Sequence, residues 1–141
     1  MYRRCGPKDI DDNGIVLPDR LRIQDMSVVR SDLALSPDDA RWLCKADIKA
    51  GRAEYEEKSW VFAFPASAVP HTATAENEGR TFRIAVVHVP CDDLYPHCEV
   101  RFYVGDHHVA EEKGISNSVK KKVRQKISDS VAPADVWKPT T

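Results

Sequence analysis

Thr81-Phe82-Arg83-Ile84-Ala85-Val86-Val87-His88, followed eight residues later by His97-Cys98-Glu99-Val100-Arg101-Phe102-Tyr103-Val104, decides the fold. In both stretches the large apolar side chains fall on alternate positions, the period of a strand with one buried face. A hairpin centred on Asp93 pairs Phe82 with Val104, Ile84 with Phe102, Val86 with Val100 and His88 with Cys98. That register gathers the apolar side chains on one face, and a slip of one residue would scatter them. The other face carries Arg83, Ala85, Val87, Glu99, Arg101 and Tyr103, amphipathic enough to meet a partner.

Working outward, Gly105-Asp106 offers a tight turn into a third strand near residues 107–110. Upstream, Trp60-Val61-Phe62-Ala63-Phe64 is β-branched and aromatic, is stopped by Pro65, and reads as a fourth strand. Ser36-Pro37-Asp38-Asp39 is a helix start: a capping hydroxyl, proline at the first helical position, and acids that complement the helix dipole. Ala40, Leu43, Cys44 and Ile48 then fall at helical spacing up to Gly51, which predicts a helix over about 37–50. Val119, Val123 and Ile127, with Val131 beyond, predict a second helix over about 118–131, capped within Ser116-Asn117-Ser118 and ended by Pro133. The expected fold is therefore α+β: an antiparallel sheet of three to four strands with two main helices packed on one face. Residues 1–35 read as an extended N-terminal arm, 36–131 as the single domain, and 132–141 as a flexible tail in which Val136 and Trp137 can dock. Met26 is a conceivable alternative start.

The chain has 141 residues, 21 basic and 22 acidic, a formal charge of −1, and 42% hydrophobic residues. That suits one globular domain and argues against wholesale disorder or a dedicated polyanion binder. No apolar run approaches the ~20 residues that cross a bilayer, so no membrane partner is expected. The opening Met1-Tyr2-Arg3-Arg4-Cys5-Gly6-Pro7 lacks the apolar stretch of a secretory signal, so a cytoplasmic location and free thiols are expected for Cys5, Cys44, Cys91 and Cys98. Only Cys91 and Cys98 have a loop between them that invites pairing.

Three groups of residues carry candidate chemistry. His88, Cys91, His97 and Cys98, with Asp92 and Asp93, bring zinc-type ligands to the hairpin end at 88–98. His97 and Cys98 are neighbours, however, and neighbours on a strand point to opposite faces. The same residues supply a cysteine and an imidazole for nucleophilic catalysis, without the spacing of a known triad. Lys120, Lys121, Lys122, Arg124 and Lys126 form a basic face over 118–127 that would neutralise phosphates, but no aromatic residues interleave with it. Arg101, Tyr103, Tyr95 and Trp137 are candidate contacts for another protein, and Trp42 and Trp60 join them if exposed. No phosphate-cradling glycine loop, nucleophile elbow or H-E-x-x-H pattern occurs, and no cofactor is implied beyond the zinc option. The leading expectation is a non-catalytic interaction protein or accessory subunit of a cytoplasmic complex. The alternatives are a small metal-assisted hydrolase or nuclease at 88–98, and a nucleic-acid-binding accessory protein using the basic helix.

Overall fold

The computed structural model describes residues 1–44, 53–76, 79–89 and 96–139. Its strands are β1 (Tyr2–Cys5), β2 (Met26–Val29), β3 (Trp42–Cys44), β4 (Ala53–Tyr55), β5 (Trp60–Ala63), β6 (Thr72–Thr74), β7 (Thr81–His88), β8 (His97–Val104), β9 (His107–His108) and β10 (Val136–Trp137). The helix α1 spans Asn117–Ser130. Eight strands make one antiparallel sheet in the order β10-β5-β1-β2-β8-β7-β6, with β9 on β8, while β3 and β4 pair separately.

This overturns the expected fold of three to four strands with two helices on one face. The sheet has eight strands, and α1 is the only helix longer than five residues among those described. The start signal at Ser36 is real: its hydroxyl accepts the Asp38 N–H at 3.2 Å and Pro37 opens the turn. The result is a 3-10 turn, Pro37–Arg41, because Trp42 turns extended and pairs with Tyr55. A capping residue followed by proline and acids satisfies the first turn of either helix type and does not dictate its length. Residues 45–50 of the expected helix lie outside the described residues.

The central hairpin takes the expected register, with Ile84 opposite Phe102, Val86 opposite Val100 and His88 opposite Cys98. Gly105 provides the left-handed φ of 59° that the turn into β9 needs. Phe82, Ile84, Val100 and Phe102 join Met26, Val28 and Phe62 in one core, closed over by Val119, Val123 and Ile127 of α1. Ile10, Val16, Leu21 and Ile23 complete it, so residues 1–35 contribute interior packing as well as two strands of the sheet. α1 is fastened to that segment, because Ser128 Oγ donates to Val16 O at 2.5 Å and Arg124 Nε to Leu21 O at 2.8 Å.

β1 runs between β5 and β2 but shares only the Tyr2–Val29 pair with β2. Arg3 Nη1 donates to Ser27 O at 2.9 Å, so a guanidinium supplies the hydrogen bond that a backbone amide would otherwise give. Burial pulls the Arg3 pKa down to about 10, with neighbouring Arg4 acting in the same direction.

The second face of the sheet is only partly covered. Val29, Ala40 and Val61 form a small cluster with Tyr2, Ala34 and Trp137, and Ala40 comes from the 3-10 turn. Over β7 and β8 the same face keeps Arg83 exposed and Ala85, Val87, Glu99, Arg101 and Tyr103 half-buried.

Candidate functional site

Leu35 is 96% exposed and Trp42 37%, with Leu33 and Tyr55 at 42% and 40%. Leu35 and Tyr55 are both tied by hydrogen bonds to the Pro37–Arg41 turn, through Asp39 and Asp38, which brings these exposed apolar side chains to one part of the surface. The local structure explains why they stand there. Asp39 Oδ2 accepts the Leu35 N–H at 2.9 Å, pinning the backbone while the leucine projects outward. Trp42 and Tyr55 are cross-strand partners in the β3–β4 hairpin, with ring centroids 5.1 Å apart.

Beside these side chains lies a polar knot. Asp38 Oδ1 accepts both Tyr55 OH at 2.7 Å and Arg41 Nη1 at 2.8 Å. Arg41, 7% exposed, also donates Nε to Ser59 O at 2.8 Å and Nη2 to Lys138 O at 3.2 Å. Burial alone would push the Asp38 carboxyl up, but the hydrogen bonds from Tyr55 and Arg41 prevail and hold it below the ordinary range. The same bond to Asp38 raises the Tyr55 phenol. Three segments distant in sequence thus hold the aromatic pair in place.

The expected interface residues fall in three places. Arg101 and Tyr103 lie on the half-open sheet face, where Arg101 donates twice to Glu99 Oε1, at 2.8 and 3.0 Å. Arg83 stacks over Tyr103 with its guanidinium carbon 4.2 Å from the ring centroid. Trp137 meets Tyr2 edge-on at 5.7 Å beside a cavity of about 750 Å³ that Arg30, Asp32 and Phe64 help to line. Tyr95 lies outside the described residues.

The zinc-type quartet is dispersed where it is described. Cys98 is buried in the core, and burial raises its thiol pKa. His97 points to the other face with both ring nitrogens engaged. Nδ1 lies 2.5 Å from Val89 O, which only accepts, so Nδ1 carries the proton and Nε2 accepts from Ser27 Oγ at 2.5 Å. His88 is exposed at the end of β7. Cys91, Asp92 and Asp93 lie outside the described residues, within which no three potential ligands converge. Cys5 and Cys98 are buried free thiols.

Much of the basic helix charge is used internally. Lys120, 7% exposed, sits 3.6 Å from Glu112 Oε1, and Arg124 Nη2 reaches the same oxygen at 3.6 Å. Lys122 pairs with Glu76 at 3.2 Å, while Lys121 and Lys126 are exposed. No described helix is long and apolar enough to cross a membrane.

Sequence reasoning missed Leu33, Leu35 and Tyr55 as surface, Ser27 as the partner of His97, and Arg41 as the centre of the knot. Leu35 had a visible signal, a leucine just before a capping serine in a polar stretch. The other two depend on contacts 70 and up to 97 residues apart, which no local pattern encodes. The sequence matches no family model, and no curated protein or solved structure is significantly similar to it.

Proposed function

We propose that this chain is a non-catalytic protein-interaction module, an accessory subunit of a cytoplasmic complex, that docks through the Leu33, Leu35, Trp42 and Tyr55 surface. The observation that carries this reading is Leu35, almost fully exposed on a backbone that is itself fixed to Asp39. A rigidly presented apolar side chain loses little entropy on burial against a partner. The neighbouring aromatic pair is the residue type that dominates interface energies. The knot of Asp38, Arg41 and Tyr55 anchors the aromatic side of this surface to the body of the fold. Among the described thiols, Cys5 and Cys98 offer no support for nucleophilic chemistry, since burial disfavours both thiolates.

The test is site-specific photocrosslinking in the native host with a photoreactive residue at position 33. A discrete protein adduct that disappears in the Leu35→Asp and Trp42→Ala variants is the expected result. An adduct that survives both changes, or a chain that crosslinks to nothing, refutes the reading.

A further inference from the structure

The outer edge of the sheet is stepped. β6 pairs with β7 only over Arg83, Phe82 and Thr81, and one more bond, from Ile84 N–H to His71 O at 2.8 Å, closes the ladder. Pro70 then interrupts the chain, and β7 continues for four more residues paired with β8 but with no strand on its outer side among the described residues. Ile84 points its N–H away from β8, and the direction alternates along an antiparallel strand. The N–H and C=O of Val86 therefore face outward too, and they meet no partner among the described residues. Edge groups of this kind are a template for pairing with another chain.

The space beside that edge is shaped rather than flat. A cleft of about 510 Å³ runs along it, floored by Val69, Ile84 and Val86 and flanked by His71, Thr72 and Arg83. Its size matches one or two side chains of an extended segment. The single formal charge on its lining is Arg83. That guanidinium stacks on Tyr103 and pairs with no carboxylate among the described residues, so a bidentate acceptor can be supplied from outside.

We propose that the uncovered edge of β7 at Val86, together with this cleft, is a docking site for an extended, carboxylate-bearing peptide of a partner protein, which adds to the sheet as a further strand. Backbone hydrogen bonds at Val86 give affinity, the apolar floor selects an alternating side chain, and Arg83 selects an acidic one. This site is separate from the Leu35–Trp42 surface and does not depend on it.

The experiment selects peptides from a displayed library of randomised short sequences on the whole chain, then measures the winners by fluorescence anisotropy and amide exchange. Supporting results are enrichment of Asp or Glu within an alternating apolar pattern, and protection of the Val86 amide on binding. Val86→Pro deletes the outward N–H without touching the β8 ladder, a position where edge strands accept proline, and weakens binding about tenfold. Arg83→Glu weakens it by a similar factor and serves if the proline variant does not fold. Leu35→Asp leaves peptide binding unchanged, which separates this site from the surface proposed above. Binding that ignores both edge substitutions, selection of peptides without acidic residues, or protection of Val86 by self-association of the chain alone overturns the proposal.

Discussion

Replacing Arg41 by leucine removes the cation on which three remote segments converge. Its acceptors are Ser59 O, Lys138 O and Asp38 Oδ1. A net hydrogen bond to a charged group is worth about 1.5–3 kcal/mol when buried. Only the bond to Ser59 O combines a short distance with full burial. The Lys138 bond is longer and part-buried, and the Asp38 side chain is 49% exposed, which reduces that pair to the scale of a surface ion pair, below about 1 kcal/mol. Leucine recovers some apolar packing. The sum is a loss of about 3 kcal/mol, a large share of the 5–15 kcal/mol that holds a typical domain, and a fall in Tm of about 10 °C. Asp38→Asn, by contrast, costs about 0.5 kcal/mol, and the double variant shows a coupling of similar size. Urea unfolding followed by tryptophan fluorescence measures all three, and amide exchange at Val136 and Trp137 reports whether β10 loosens. A loss below about 1 kcal/mol for Arg41→Leu, or an equal loss for Asp38→Asn, would refute the assignment of Arg41 as the centre of the knot.

Burial first, and Asp9 second, push the Cys5 thiol up to about 12. Its contribution to stability is fully present below the unfolded thiol pKa of about 8.5 and fades as pH rises from there toward the folded value; Cys5→Ala should flatten that decline in urea melts recorded up the alkaline range. A chain beginning at Met26 lacks β1 and the buried Ile10, Val16, Leu21 and Ile23. Each of these side chains is worth about 1.5–3 kcal/mol when buried, so circular dichroism should show no cooperative melt. Ile127→Ala opens a cavity beneath α1 and should cost about 2–5 kcal/mol, read as a lower urea midpoint at unchanged slope. Lys121→Glu with Lys126→Glu should leave stability within about 0.5 kcal/mol, whereas Lys120→Glu places a carboxylate against Glu112 and should destabilise well beyond that.

The β7–β8 hairpin was legible because both strands lie close in sequence and period two fixes their register. α1 was legible because Val119, Val123 and Ile127 repeat every four residues. The other half of the sheet was not. β1 carries Arg3 and Arg4 at its centre, which reads as polar chain, and its strand character comes from pairing with Trp60–Ala63 some sixty residues away. Val136–Trp137 is likewise a strand only because Val61 and Phe62 lie beside it. The described part of the expected helix, 37–44, misled for the opposite reason, since its cap signal was correct but the chain turned extended at Trp42, which pairs with Tyr55. For the candidate site, Trp42 was visible as an aromatic contact, but its exposure follows from that same long-range pairing.

The strand order has a consequence for how the chain reaches its native state. β6, β7, β8 and β9 follow one another as a meander, and α1 comes directly after them. Apart from β9, the strands on the other side of β8 must be recruited from afar: β2 joins β8 across some seventy residues, and β1 and β10 flank β5 from opposite ends of the sequence. Loop closure for those pairings precedes any reward, whereas the meander closes short loops. The first sixty residues therefore leave a ribosome with only the Tyr2–Val29 pair and the β3–β4 hairpin to form among themselves; β5 then gives β1 its full partner, while β2, the strand that joins the two regions, must wait for β8.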